Sequence, residues 1–220
     1  MTMLDYPGKV ACTIFTYGCN FRCPFCHNAS LVTDAPKFIS EDEVLSYLSK
    51  RAGILDGVCI SGGEPLLQKD IFEFMKNVKD KGLLVKLDTN GSFPDKLKYA
   101  IDEKLVDYVA MDIKNSKDKY AMTVGVDNFD ITPIEKSVEL LINGDIDFEF
   151  RTTITKELHS EEDIRKIGTW IKGAPKYFLQ NFENTGNLIK EGFNAHDPET
   201  LKGFARLLEG QFAKIEIRGI

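Results

Sequence analysis

Three cysteines, Cys19, Cys23 and Cys26, stand in the run Tyr17-Gly-Cys-Asn-Phe-Arg-Cys-Pro-Phe-Cys-His-Asn28. The C-x3-C-x2-C spacing puts three thiolates on one short loop, enough to hold three irons of a four-iron cluster and leave the fourth without a protein ligand. An open coordination position points to substrate chemistry rather than to a structural staple. Two rivals use the same residues. A zinc site of the Cys3His kind would add His27, but adjacent residues rarely both reach one tetrahedral ion, and zinc ligands more often come from two separated pairs. An electron carrier would need a fourth cysteine near a proline, and neither Cys12 nor Cys59 is placed for that. Both of those lie in apolar stretches and read as buried, inert thiols.

Further polar residues recur at the ends of apolar runs: Ser61-Gly-Gly-Glu-Pro65, Asp88-Thr-Asn-Gly91, Met111-Asp-Ile-Lys114, Arg151 with Thr153, and Gln180 with Asn181. Taken singly each has an ordinary explanation, Asn90-Gly91 as a tight turn, Gly62-Gly63 as a loop, a strand-end Asp or Arg as a solvated charge or helix cap. Their significance depends on what positions them.

Short β-branched runs alternate with amphipathic stretches along the chain. Strands are expected over 9–16, 57–61, 83–89, 108–113, 147–153 and 176–181, with helices beginning near Ser40, Asp70, Phe93, Thr132 and Ser160. Ser40 with Glu43 forms a capping box, Ser160 is followed by Asp163, and Thr132-Pro133 puts proline at the first helical position. In the helix from Asp70, Ile71, Phe74, Met75 and Val78 form a core stripe that closes before Gly82. Strands separated by single helices pair in parallel through right-handed crossovers, giving an α/β fold, either doubly wound or barrel-like. In both forms the loops after the strands build the site, so the polar tips and the cysteine loop converge on one rim. The tail is less legible: 184–187 reads as a loop, 198–209 as a helix and 214–218 as a strand that either completes the sheet edge or flanks an opening.

Composition narrows the function classes. The 220 residues suit one domain, 1–220, with its core over 9–181 and a C-terminal extension over 182–220. With 34 acidic against 28 basic residues and a net charge of −6, the chain has no basic stripe of the kind a polynucleotide partner requires. No stretch approaches the roughly 18 apolar residues of a membrane span, and Asp5, Tyr6 and Pro7 interrupt any secretory apolar run. Five cysteines, three of them crowded together, do not make a disulfide framework. A cytoplasmic protein without nucleic-acid or membrane partners is expected.

The three cysteines, the aromatic Phe25 before the third, and Gly62-Gly63-Glu64-Pro65 resemble the motifs of the radical S-adenosylmethionine (radical SAM) superfamily. Cys26-His27-Asn28, Asp88-Thr-Asn-Gly91 and Asp112-Ile-Lys114 are similar to those of the glycyl-radical-enzyme activases. The opening Leu4-Asp-Tyr-Pro-Gly-Lys9 resembles the activators of anaerobic ribonucleoside-triphosphate reductase. The resemblance covers residues 4 to about 181. It implies a partial (β/α)6 barrel, a [4Fe-4S] cluster on Cys19, Cys23 and Cys26, and S-adenosylmethionine on the free iron. It further implies Phe25 and His27 along the adenine, Gly62 and Gly63 at the methionine amine with Glu64 orienting the same ammonium, Asp112 on the ribose, Lys114 on the carboxylate, and Arg151 beside them. Asp88, Thr89, Asp112 and the Ala110 carbonyl would hold a monovalent cation.

The chemistry so implied is reductive cleavage of S-adenosylmethionine, with an electron from a flavodoxin- or ferredoxin-type donor, and hydrogen abstraction from a glycine of a glycyl radical enzyme. The expected partner is an anaerobic ribonucleotide reductase; a pyruvate formate-lyase partner, or a small-molecule reaction such as that of 7-carboxy-7-deazaguanine synthase, is the alternative. No catalytic residue beyond cluster and cofactor is required, so His159 and His196 read as polar loop residues.

Overall fold

The computed structural model describes residues 2–33 and 37–220. Seven strands form one sheet: β1 (Ala11–Thr16), β2 (Gly57–Gly62), β3 (Leu84–Thr89), β4 (Tyr108–Asp112), β5 (Asp147–Ile154), β6 (Lys176–Asn181) and β7 (Lys214–Arg218). Each pairs in parallel with the next, so spatial order equals chain order. A doubly wound sheet would reverse direction once; this one does not. Right-handed crossovers that all advance the same way put every helix on one side, the winding of a barrel, and no pairing joins β7 to β1 among the described residues. The seventh strand settles the tail, which extends the sheet edge.

The helices are α1 (Ser30–Thr33), α2 (Glu41–Lys50), α3 (Ile71–Lys79), α4 (Pro94–Asp102), α5 (Tyr120–Val124), α6 (Thr132–Ile142), α7 (Glu161–Trp170) and α8 (Pro198–Leu207). Both capping boxes form, Ser40 with Glu43 and Ser160 with Asp163. The start of α6 differs from expectation: Thr132 is already helical, and its N–H donates to Asp130 Oδ1 at 3.0 Å. A carboxylate two residues upstream satisfies the free amide as well as a threonine hydroxyl would. The short α5 has too few turns to show a periodicity.

Alternation along each strand divides the sheet into two unlike faces. On the helix side Val58, Ile60, Val85, Leu87, Val109, Met111, Phe150, Tyr177 and Leu179 are fully buried with Met75, Leu97, Ile134, Ile164 and Leu201. Burying each such large apolar side chain contributes about 1.5–3 kcal/mol. The inner face carries Cys59, Lys86, Asp88, Ala110, Asp112, Glu149 and Arg151. Register sets Cys59 beside Lys86 and Asp112 beside Arg151. No helix among the described residues is long and apolar enough to cross a membrane.

Candidate functional site

The cysteine loop leaves β1 and is tied down by residues remote in sequence. Gly18 N–H donates to Leu31 O and Arg22 N–H to Val124 O at 2.8 Å each, and Pro24 O accepts from Lys190 N–H at 2.9 Å. Gly125, at φ +64°, lets α5 end against Arg22, because a Cβ there would strike the Arg22 carbonyl. That contact gives the unanticipated α5 its place. Two donors face the Cys19 sulfur, Phe21 N–H at 3.3 Å and Asn90 Nδ2 at 3.8 Å. The Asn90 amide is oriented by its other end, where Oδ1 accepts from Ser92 N–H and Oγ.

Gly62 and Gly63 are required by this loop. A Cβ on Gly62 would collide with the Thr16 backbone, and one on Gly63 with the Gly18 carbonyl. Gly63 N–H donates to Thr16 O at 2.9 Å, and Glu64 N–H to Gly18 O at 2.8 Å. Glu64, expected to orient a ligand's ammonium, turns its side chain into the protein in this structure. Its side chain is fully buried and accepts from Leu66 N–H (3.0 Å), Thr89 Oγ1 (2.8 Å) and Asn90 N–H (2.7 Å), so no oxygen faces the cavity. Burial pushes its carboxyl up to about 7, against the pull of those three hydrogen bonds.

Beside the loop runs an alternation of charge. Lys86 Nζ pairs with Asp88 Oδ1; Asp88 Oδ2 accepts from Arg151 Nη1 at 3.2 Å and Ser61 Oγ at 3.1 Å. Arg151 Nε reaches Asp112 Oδ1 at 3.0 Å, and Asp112 Oδ2 pairs with Lys114 Nζ at 2.9 Å. Burial would raise both carboxyls, but the adjacent cations prevail, Lys114 and Arg151 for Asp112, Arg151 and Lys86 for Asp88, and hold both below the usual range. The residues expected at a monovalent cation, Asp88, Thr89, Ala110 and Asp112, make other contacts in this structure. Arg151 stands between the two carboxylates, the Thr89 hydroxyl is engaged by Glu64, and Ala110 is buried outside the cavity lining. Lys86 carried no motif and was missed; its only signal is a lysine on the same face of a strand as Asp88.

A cavity of about 450 Å³ opens over these groups, within the range of small-molecule sites. Its wall includes Cys19, Cys23, Cys26, Phe25, His27, Gly62, Gly63, Asp88, Thr89, Asp112, Lys114 and Arg151. Asp5, Thr13, Asn28, Asn90, Ser61, Thr153 and Gln180 join them. Phe25 packs edge-on against His159 and tilted against Phe193. His159 lies in the loop between β5 and α7, as expected, but it is buried: Nδ1 accepts from Thr155 N–H at 3.1 Å, and Nε2 therefore donates to Lys114 O at 2.9 Å. Burial also lowers its basicity, so it stays neutral and braces Lys114.

The donor set suits a cluster better than a lone ion. No three His, Cys, Asp or Glu among the described residues close on a single metal position, whereas cluster cysteines each bind a separate iron. Burial pushes the Cys23 thiol up to about 12 and raises Cys19; both hold protons at neutral pH until a metal displaces them. The two N–H groups aimed at Cys19 oppose that burial effect without overcoming it, and would stabilise the thiolate once its proton has left. Cys12 and Cys59 are also buried, and Cys59 lies 3.6 Å from Lys86 Nζ.

Residues 13–170 match the radical SAM superfamily. A Methanocaldococcus jannaschii protein called "Putative glycyl-radical enzyme activating enzyme" is 37% identical over 187 residues, 83% of this chain and 77% of that one. The pyruvate formate-lyase-activating enzyme of Clostridium pasteurianum is 31% identical over 184 residues, 78% and 73% respectively. The crystal structure of Streptococcus suis SuiB bound to S-adenosylmethionine superposes with a TM-score of 0.74 at 15% identity, over 96% of this chain and 50% of SuiB. The chain thus spans half of SuiB, and that likeness is one of fold.

Two outcomes are expected from the Glu64 turn. Gly63→Ala should destabilise the protein by roughly 1–3 kcal/mol or more, displace the Gly18 carbonyl, and lower iron content after reconstitution more than helical circular dichroism. Folded Glu64 keeps its proton to about pH 7, whereas an exposed glutamate loses it near about 4.3. Between those values the folded state binds more protons, so stability falls as pH rises, by about 4 kcal/mol in total. Urea midpoints across that range measure the slope; Glu64→Gln should flatten it, and an unchanged slope would assign it to another group.

Proposed function

The chain belongs to the radical SAM superfamily, and on that premise we propose that it is an activase acting in the cytoplasm, which installs a glycyl radical on an anaerobic ribonucleoside-triphosphate reductase using an electron from a flavodoxin- or ferredoxin-type donor. Radical SAM enzymes use a [4Fe-4S] cluster and S-adenosylmethionine, and this one is homologous to glycyl-radical enzyme activating enzymes. The observation that carries the reading is the meeting, at one cavity, of three thiols from one loop with Gly62, Gly63 and the alternating charges. The segment Leu4 to Lys9 supports the reductase as partner. The identity to the Clostridium pasteurianum protein favours a second reading, a pyruvate formate-lyase-type partner.

In this reading Cys19, Cys23 and Cys26 hold the cluster, and Phe25 and His27 flank the adenine. Gly62 and Gly63 leave room at the amino end, while Asp112, Lys114 and Arg151 face the ribose and carboxylate. When bound, the cluster and S-adenosylmethionine supply a reductive sulfonium cleavage that ends in removal of a hydrogen atom from the partner's glycine. The chain's own part is positional. His159 and Asp112 fix Lys114 from its backbone and its ammonium. Asp88 and Asp112 are ion-paired and held ionised, an arrangement suited to orienting a ligand rather than to shuttling protons.

Anaerobic incubation of the reconstituted protein with S-adenosylmethionine, reductant and each partner in turn should produce the EPR doublet of a glycyl radical with the reductase. Silence with both partners, while 5′-deoxyadenosine still forms, would sink the activase and leave the superfamily intact. Cys19→Ala, Cys23→Ala and Cys26→Ala should each lose the brown absorbance or the cleavage, with Cys12→Ala and Cys59→Ala retaining both. Bleaching by Cys59→Ala would refute the three-cysteine ligand set.

A further inference from the structure

Lys86 is among the largest fully buried side chains, 1% exposed, on the inner face of β3. Its ammonium has two partners, the Asp88 carboxylate and the weakly accepting Cys59 sulfur at 3.6 Å. A buried ammonium is costly unless it is paired, so its position demands a reason beyond packing.

The charges supply one. Lys86, Asp88, Arg151, Asp112 and Lys114 alternate in sign, three cations and two anions, each pair in contact. The row sums to +1; without Lys86 it sums to zero. Arg151 is shared between Asp88 and Asp112, and it can serve Asp112 fully only if Asp88 has another cation. Asp112 in turn divides its oxygens between Arg151 and Lys114, and Lys114 sits on the cavity wall. What Lys114 can offer an anion at the cavity therefore depends on a charge at the far, buried end of the row.

We propose that Lys86 is a built-in counter-ion: its ammonium neutralises Asp88 from the buried side, and so gives the row the single positive charge with which Lys114 receives one carboxylate of the bound cofactor. The carboxylate half rests on the radical SAM reading; the counter-ion half stands on the charges alone. Lys86 is thus a positioning residue, acting on the ligand through Asp88, Arg151 and Asp112.

The test separates the halves. Lys86→Ala leaves a hole beside Asp88 that ammonium or methylammonium fits and choline does not. In protein free of cluster and S-adenosylmethionine, at matched ionic strength, the melting temperature of Lys86→Ala should rise with ammonium relative to choline, while the wild-type protein responds to both alike. Equal responses in the two proteins would overturn the counter-ion. Lys86→Met fills the hole without charge, should show no ammonium rescue, and should bind S-adenosylmethionine more weakly. A unit charge roughly 10 Å away at an effective dielectric of about 20 shifts affinity about tenfold. That loss should appear in KM with kcat nearly unchanged, and in Lys86→Ala it should be reversed by ammonium. Wild-type affinity in Lys86→Met would overturn the carboxylate half. Failure of the wild-type protein to bind S-adenosylmethionine would instead sink the functional reading and leave the melting comparison to decide the counter-ion. If both single variants fail to fold, Lys86→Met with Asp88→Asn removes the pair together: recovered folding supports the counter-ion, and continued misfolding makes Lys86 a packing residue and overturns it.

Discussion

Glu64 accepts hydrogen bonds from Leu66, Thr89 and Asn90 while its own backbone N–H donates to Gly18, and through that one buried residue the cysteine loop and the turns after β2 and β3 are held to one another. The remaining geometry follows from it. Asn90, fixed by Glu64 at its backbone, presents its amide to the Cys19 sulfur and to Asn20. Gly62 and Gly63 lack side chains because the loop that Glu64 ties down lies against them. A motif read as contacting a ligand thus shapes the wall behind it, and three elements become a single rim.

The sheet separates two kinds of energetics. Its helix side is apolar and carries the hydrophobic core. Its inner side keeps charged groups in a largely buried setting, where each must be matched by an opposite neighbour. Parallel register makes the matching possible, since Asp112 and Arg151 are direct neighbours on β4 and β5. Stability and site chemistry occupy opposite faces of the same strands, so a core substitution at Leu87 and a site substitution at Asp88 act through different physics although they are adjacent in sequence.

Much of this was legible in the sequence. The six core strands, both capping boxes and the convergence of polar strand ends followed from periodicity and turn chemistry. Less visible were residues whose meaning lies in three dimensions. Lys86 looks like any strand lysine until Asp88 and Cys59 close around it. His159 looks like loop punctuation until Thr155 and Lys114 take its two nitrogens. Glu64 sits inside a recognisable motif, but which way its carboxylate turns depends on the β3 turn 25 residues later. Periodicity alone fits two windings of the sheet because crossover direction is not encoded locally; the resemblance implies the barrel-like one, and the strand order agrees with it.

The anchors of the cysteine loop are spread along nearly the whole chain: Gly18 to Glu64, Asn20 to Ser92, Arg22 to Val124, Pro24 to Lys190. Contacts this distant in sequence each carry a loop-closure cost, so the shape of residues 17–28 is set by the whole fold and not by the loop itself. The geometry that brings the three thiols to one cavity is therefore a property of the folded chain as a whole, and a short peptide over 17–28 would not reproduce it. What the loop holds is thus held by the fold as much as by its cysteines, and a backbone distortion at Val124 or Lys190 reaches the site although neither residue lies on the cavity wall.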